Sequence, residues 1–588
     1  RQLPEPEFTG SKDYIAPQTD LQAKLCQIYG DVLGLDAAGI SIEDDFFRLG
    51  GDSIISIQLV GRIRQQLEVR LSVKEVFTAR SVSSLSLLIE EKKQTEGDHI
   101  LSEQGILEGG VSLLPVQDWF FSQKEQGYLG DFNHWNQAFL INVPELDKEL
   151  LETSIHHLVE RHDAFRLYYP KADGVYIQVY GSVEAVPGIH YLDASGLNPE
   201  ELSHVFTEWQ SGFDIENGPL YQIGYISGYA DGSARIYFAL HHLIIDAVSW
   251  RIITEDLKNI YQSLEKGDTE YITGHVKGTS YRQWVEAVRS YKTENAESRA
   301  QELLYWNATA ETVESNNTTL SRFIGKDYHH GHLILSKEMT ELLIRKTHHA
   351  YHTQINDLLL SALSLSLSGL TGEQSHSVLL ESHGREEVFG NLDITETVGW
   401  FTTMYPLLLK KGKGLSDTVV LTKESLRRIP NNGIGYGSLI GYTERSLPKI
   451  SFNYLGQLDQ EDVSGEKTWF IAAEDSGLGV GSNNRDSHYI SINGAVVDGQ
   501  LRFGVTGYLS EEEITLLSEG FKSHLESIIT LLSTEQSSYL TPSDIDYIVE
   551  QEQLFGIQEK GEIEGVYLAN SLQEGFVYHA LNQGDKDD

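Results

Sequence analysis

The stretch RIYFALHHLIIDAVSWRIITEDL, residues 235–257, decides how most of this chain reads. Its first part, RIYFALHHLII, is almost continuously apolar and predicts a strand buried on both faces. From Ala247 the period changes. Ile253, Leu257, Ile260 and Leu264 recur on one stripe, which predicts an amphipathic helix. A buried strand passing directly into such a helix is a building unit of layered α/β folds. At the junction stand His241, His242, Asp246, Ser249 and Trp250. A metal site there is disfavoured, because neighbouring residues of a strand face opposite sides and the two imidazoles cannot converge on one ion. Two chemistries remain. One histidine can act as general base for an acyl transfer, or it can take a proton from the carbon next to a thioester. In either, Asp246 would fix the loop or the imidazole tautomer. The pair alone proves little, since the chain has 21 histidines, including the pairs 156–157, 329–330 and 348–349.

Outward from this stretch, strands and helices alternate from Leu113 to about Leu540, with GHLILS, SVLLES, PKISFNYLG and QLRFGVTGYL as further strands. The expectation is a large α/β region of two lobes, residues 109–277 and 278–540. Residues 17–92 read as a small all-helical unit. Thr19 with Gln22 forms a capping-box pattern, Leu21, Leu25, Ile28 and Val32 follow at helical spacing, and Gly34 is the stop. Residues 1–16 and 93–108 read as linkers, and 541–588 as an acidic, glycine-broken tail. The start, RQLPEPEFTG, is no signal peptide and reads as a cut from a longer chain. No apolar run spans a bilayer. A net charge of −41 repels phosphate backbones and makes nucleic acid an unsuitable partner. The single cysteine, Cys26, excludes an internal disulfide and fits a cytoplasmic setting.

In the helical unit the chemical feature is Ser53, in LGGDSI (49–54), where a strongly apolar helix begins. Helix N-termini offer free N–H groups and a positive dipole end, which suit a phosphate ester, and the glycines give an enzyme close access. An ordinary N-cap serine and a hydrolase nucleophile are the rival readings. The second lacks a partner histidine in the unit and the strand that precedes such a serine. The stretch DDFFRLGGDSIISIQLV (44–60) resembles the peptidyl carrier domain of nonribosomal peptide synthetases. That resemblance implies a 4′-phosphopantetheine arm on Ser53, installed by a phosphopantetheinyl transferase and holding an aminoacyl or peptidyl thioester. Aspartate at position 52 is typical, in that family, of carriers preceding an epimerization domain. LPEP (3–6) resembles the linker after an adenylation domain.

HHLIIDA resembles the HHxxxD motif of the chloramphenicol-acetyltransferase-like superfamily, which includes both condensation and epimerization domains and so does not choose between the chemistries. Other segments do. LPVQDWF (114–120), NDLLLSAL (356–363), ESHGRE (381–386), TVGWFTTMYP (397–406), PNNGIGYG (430–437) and FNYLGQ (452–457) resemble epimerization-domain motifs in the expected order. The implied function is L-to-D inversion at the α-carbon of the carrier-bound thioester, an isomerase activity. The implied catalytic residues are His242 and Glu381, with Tyr454 and Asn453 as candidates for substrate positioning, enolate stabilisation or proton relay. His241, Asp246 and Arg385 would be structural at the site, and no metal is expected. The alternatives are a condensation-type acyltransferase and a non-catalytic docking scaffold. The chain departs from the family pattern at Ser382 and at Ala247, both usually glycine, and a methyl group at 247 would threaten the placement of Asp246. LTPSDIDYIVEQEQLF (540–555) resembles a post-epimerization linker, and IEGVYLANSLQEGFVYHALNQG (563–584) resembles the opening of a condensation domain. Neighbouring adenylation and condensation domains or subunits are therefore the implied partners. Arg62 and Arg64, on the helix after Ser53, are candidates to pair with the acidic catalytic region.

Overall fold

The computed structural model describes residues 14–51, 53–67, 69–93, 100–183, 187–268, 270–293, 296–457, 468–472, 474–570 and 573–574. LPEP, Asp52 and the end of the condensation-like tail lie outside these residues. The chain forms two compact units from discontinuous stretches. The first is Arg1–Ile324, Val378–Pro406 and Pro430–Asp498, and the second is Gly325–Ser377, Leu407–Ile429 and Gly499–Asp588. The division expected between residues 277 and 278 falls inside the first unit.

The first unit opens with four helices, α1 (Asp20–Leu33), α2 (Ser53–Leu67), α3 (Val73–Ala79) and α4 (Val82–Lys92). Thr19 caps α1 by accepting the Gln22 N–H at 3.2 Å, while Gln22 reaches back to the N–H of Gln18 at 2.8 Å, one residue earlier than the capping-box pattern implies. Gly34, at φ 65°, ends the helix in the left-handed region. Leu25, Ile28, Tyr29 and Val32 of α1 meet Ile55, Leu59, Val60 and Ile63 of α2 in one core, closed by Val76, Val82, Leu85 and Ile89. Each such side chain contributes about 1.5–3 kcal/mol on burial. Cys26 is part of this core, and burial pushes its thiol up to about 11.

Beyond α5 (Pro115–Glu125), which carries LPVQDWF, a five-stranded sheet forms. It contains β1 (Asn136–Val143), β2 (His190–Asp193), β3 (Tyr221–Ser227) and β4 (Ala234–His241), ordered β2–β3–β4–β1 with Phe470–Ala472 on the outer edge of β1. Every residue of β4 is buried, as its unbroken apolar run requires. The strand ends at His241, four residues before the sequence pattern ends it. There the His241 imidazole accepts the Leu243 N–H at 3.2 Å and starts a short 3₁₀ turn, His242–Ile244. Helix α6 (Ala247–Lys266) follows, with Asp246 as its N-cap. The same unit also holds three parallel neighbours: the end of β5 (Ser375–Ser382), β6 (Ile450–Gln457) and β7 (Ile490–Val497).

In the second unit, α7 (Ile355–Thr371) packs on α9 (Glu511–Thr534), and α8 (Leu415–Arg427) packs on α7. Strands His329–Ile334 and Gln500–Gly507 pair antiparallel. Asp357, in the NDLLLSAL motif, is buried and pairs with Arg427 at 2.8 Å. Residues 540–558, after α9, are folded. Leu540, Ile545 and Leu554 form a small core with α10 (Gln551–Gln558), and the buried ammonium of Lys423 meets Asp544 at 2.6 Å. Among the described residues no helix is long and apolar enough to cross a membrane.

Candidate active site

The β4–α6 junction turns the two histidines apart. His241 is fully buried, with Nε2 2.8 Å from the Phe132 carbonyl and Nδ1 accepting from Leu243 N–H. Nε2 must therefore carry its proton, and both nitrogens are spent on backbone. Burial pushes its imidazole down to about 3, so it stays neutral. His242 has the opposite tautomer. Its Nδ1 lies 2.9 Å from the Ile245 carbonyl, which can only accept, so Nδ1 carries the proton and Nε2 keeps its lone pair. The ring stacks on Trp135 at 4.8 Å between centroids and packs on Trp400 at 4.7 Å. Burial holds its pKa below the ordinary histidine value, against the opposing pull of its backbone hydrogen bonds and Asp246. Gln137 on β1 closes the fourth side, with Nε2 2.9 Å from His242 Nε2. Among the described residues no cluster of three histidine, cysteine or carboxylate side chains could hold a metal ion.

Glu381 lies near the end of β5. The parallel register Leu379–Ser451 and Leu380–Phe452 carries it beside Asn453, which in turn pairs with Asn493 on β7. Strand alternation sets Glu381, Asn453 and Asn493 on one face and Tyr454 on the other. A bulge follows between Tyr454 and Gln457. Glu381 accepts no hydrogen bond from a described residue and keeps solvent access although it sits deep in the protein. Burial pushes its carboxyl above the usual carboxylate range. His488 opposes that shift and Asp486 adds to it. His488 Nδ1 is 2.7 Å from Asp486, and Asp486 also accepts from Ser491 of β7.

Asp246 and Arg385 meet in the interior. Arg385 Nη2 reaches Asp246 Oδ1 at 3.2 Å and Ser249 Oγ at 3.0 Å, while Nη1 donates to the carbonyls of Ile394 and Thr397. Asp246 accepts from the N–H of Ser249 at 2.8 Å and of Phe401 at 3.1 Å. This network joins the histidine turn to the span 381–401. Gly384 makes the turn possible, since at φ 69° an added Cβ would lie 1.7 Å from the Phe401 carbonyl oxygen. Ala247 begins α6 outside the left-handed region with its side chain exposed, and the bonds of Asp246 are intact. Ser382 donates to Glu386 at 3.3 Å.

The four-helix bundle meets the same span. Arg64 pairs with Asp393 at 2.5 Å, Arg62 with Glu255 at 3.6 Å, and Glu387 accepts the N–H of Val73, the first residue of α3, at 2.6 Å. Gly50, at φ 109°, faces Gln457, whose Nε2 lies 3.6 Å from where a Cβ would stand. Gly51 packs so tightly on Phe46 that an added Cβ would approach its ring to 2.4 Å. This two-glycine turn delivers Ser53 to the first position of the 15-residue helix α2. A serine at the first position of a helix, with the positive end of the dipole behind it, is chemically suited to a phosphopantetheine ester.

The sequence indicated His242, Glu381, Asp246 and Arg385, and placed Trp250 and Trp400 within its motifs without giving them a role, but it did not indicate Gln137, Trp135, Asp486 or His488. Gln137 and Trp135 reach the imidazole from a segment more than a hundred residues earlier. Only Asp486 and His488 carry a local sign, their i, i+2 spacing.

Comparison with known proteins agrees with this architecture. The condensation-domain family matches residues 108–553, and the phosphopantetheine-attachment family matches residues 23–89. The chain belongs to the condensation-domain family and carries a phosphopantetheine-attachment domain ahead of it, with a chloramphenicol-acetyltransferase-like fold in the larger part. It is 36% identical over 537 residues to N-(5-amino-5-carboxypentanoyl)-L-cysteinyl-D-valine synthase of Amycolatopsis lactamdurans, covering 90% of this chain and 14% of that protein. It is 34% identical over 621 residues to bacitracin synthase 3 of Bacillus licheniformis, covering 100% of this chain and 9% of that one. The chain thus spans only a small part of the curated relatives it matches. Among solved structures it is similar to the epimerization domain from the third module of tyrocidine synthetase B, with TM-score 0.62, 30% identity, and coverage of 74% of this chain and 98% of that one. The first condensation domain of the calcium-dependent antibiotic synthetase shares the fold, with TM-score 0.54 and 18% identity, covering 72% of this chain and 97% of that one.

Proposed function

We propose that the chain inverts the α-carbon of an aminoacyl or peptidyl group held as a thioester on a phosphopantetheine arm at Ser53, converting L to D. The observation that carries this reading is the pair of opposite shifts in one unit. His242 is kept neutral with a lone pair at Nε2, while Glu381 is pushed toward its protonated form. Lowering the histidine and raising the carboxyl bring the two groups closer in proton affinity, which suits a pair that passes a proton in both directions. When attached, the arm supplies a thioester, whose carbonyl makes the adjacent C–H acidic. His242 Nε2 takes the proton from one face, and the Glu381 carboxyl returns one to the other. In the reverse direction the roles exchange. Asn453, on the face of Glu381, is placed to orient the substrate carbonyl, whereas Tyr454 faces the other side of the sheet. Asp246 and Arg385 hold the two loops without touching the reacting atoms. Partners follow from the chemistry: an adenylation domain to load the carrier, a phosphopantetheinyl transferase to prime it, and a condensation domain to take the D-product. A carboxyl at this position has no evident task in condensation.

The test loads Ser53 from L-alanyl, L-leucyl and L-phenylalanyl coenzyme A, incubates the protein in heavy water, and measures chirality and α-deuterium after hydrolysis. Inversion with deuterium uptake is expected in the wild type, and loss of inversion in His242→Gln and Glu381→Gln. A Glu381→Gln variant that inverts at the full rate overturns the assignment. A dipeptide formed with a second aminoacyl carrier, without inversion, would indicate condensation.

A further inference from the structure

Gln137 sits in WNQAFL on β1, paired with Leu240 of β4, and nothing in its local sequence marks it as functional. Its amide is held at both ends. The indole Nε1 of Trp250 donates to Gln137 Oε1 at 2.9 Å, and Gln137 Nε2 lies 2.9 Å from His242 Nε2. An indole N–H can only donate, so the amide atom facing it is oxygen. The atom facing His242 is then the –NH₂, which must also donate. From the far end, the Ile245 carbonyl 2.9 Å from His242 Nδ1 can only accept. Both ends dictate one direction of donation: Trp250 to Gln137 to His242 to Ile245.

We infer that Gln137 is a positioning residue for His242, selecting the Nδ1–H tautomer and excluding a proton from Nε2 until substrate displaces its amide. This rests on the reading of His242 as the base. A proton on Nε2 would confront the two amide hydrogens. Turning the amide to accept it would leave the –NH₂ against the indole N–H, breaking the bond to Trp250. The surrounding groups do not offset this. Asp246, on the histidine's own loop, is occupied by Arg385 and two backbone N–H groups. His241 is turned to Phe132, His134 holds the Leu478 carbonyl at 2.7 Å, and Trp135 and Trp400 cover the ring without a charge. During turnover the Cα–H bond breaks, its electron pair moves toward the substrate carbonyl, and the proton goes to Nε2. The amide has to leave first. Approach of the substrate therefore exposes the base, and water alone does not consume it.

The experiment uses the full chain with ¹⁵N,¹³C-labelled histidine, the ring of His242 being assigned by its disappearance in His242→Gln. The wild type is expected to show a neutral Nδ1–H ring through the neutral range. In Gln137→Glu the carboxylate still accepts from Trp250 but also accepts from Nε2–H. The ring should then become imidazolium near neutrality, and the acid limb of α-deuterium uptake should move up by roughly 1–3 pH units. Gln137→Met, of similar volume but without a donor, should let the Nε2–H tautomer appear. An Nε2–H ring in the wild type, or unchanged ring protonation and pH profile in Gln137→Glu, overturns the inference. If the glutamate variant does not fold, an unchanged tautomer in Gln137→Met overturns it instead. Full deuterium uptake in His242→Gln would defeat the reading of His242 as base, while the ring spectra would still decide whether Gln137 sets its tautomer.

Discussion

His242 is fixed on four sides, by Trp135, Trp400, Gln137 and the Ile245 carbonyl, whereas Glu381 accepts no hydrogen bond from a described residue and keeps access to solvent. In the proposed reaction the two ends of the proton path are thus built differently. A base must present one lone pair at one angle, and stacking with directional bonds supplies that. A proton donor that must be refilled gains from contact with water, and its readiness is set by the field of its surroundings. Here that field comes from burial, His488 and Asp486. Rigidity on one side and exchange on the other is a division of labour that two identical carboxylates would not provide.

The largest effect that tests this contrast is loss of a proton carrier. His242→Gln should lower inversion by about 10²–10⁴-fold, the usual contribution of general acid–base catalysis, without altering the thermal midpoint. Next comes the buried ion pair behind the histidine turn. Arg385→Met leaves Asp246 uncompensated in the interior and should cost about 3–5 kcal/mol in chemical denaturation. If it costs under about 1 kcal/mol, the turn is held by other means. The third test acts on the open side. Asp486→Asn removes a negative charge near Glu381, so the carboxyl should fall toward its ordinary value and the alkaline limb of the pH profile should move down by up to about 1 unit. The acid limb, set by His242, should stay in place. A fourth concerns acid stability. His241 is held to about 3, and His275 and His376 to about 4, all below their unfolded value. The unfolded chain therefore binds more protons, and stability falls as pH drops from about 6.5 toward 4, by about 1.4 kcal/mol per pH unit for each histidine. Denaturation midpoints across that range measure it. The smallest effect is at the carrier: Arg64→Ala removes a partly exposed pair worth about 0–1 kcal/mol and should slow inversion only a few-fold, with less salt dependence than the wild type.

The layered fold and the carrier bundle were legible because they rest on local periodicity. The stripe of α6, the all-apolar β4 and the Thr19 and Gly34 stops of α1 need no distant partner. The end of β4 was not legible, because it depends on which nitrogen of His241 captures the Leu243 N–H. The motifs also led to Glu381 and to Asn453, but not to their being neighbours, which depends on the register of β5 with β6, and not to Gln137, which reaches His242 from a strand more than a hundred residues earlier. The departure at Ala247 proved harmless to Asp246, because the methyl points into open space at the first turn of α6.

The span from 381 to 401 reaches several sites at once. It begins at the carboxyl, touches the carrier through Glu387 and Asp393, and ends with Trp400 against the base. In the proposed reaction, a docked carrier therefore holds the same polypeptide that lines both ends of the proton path.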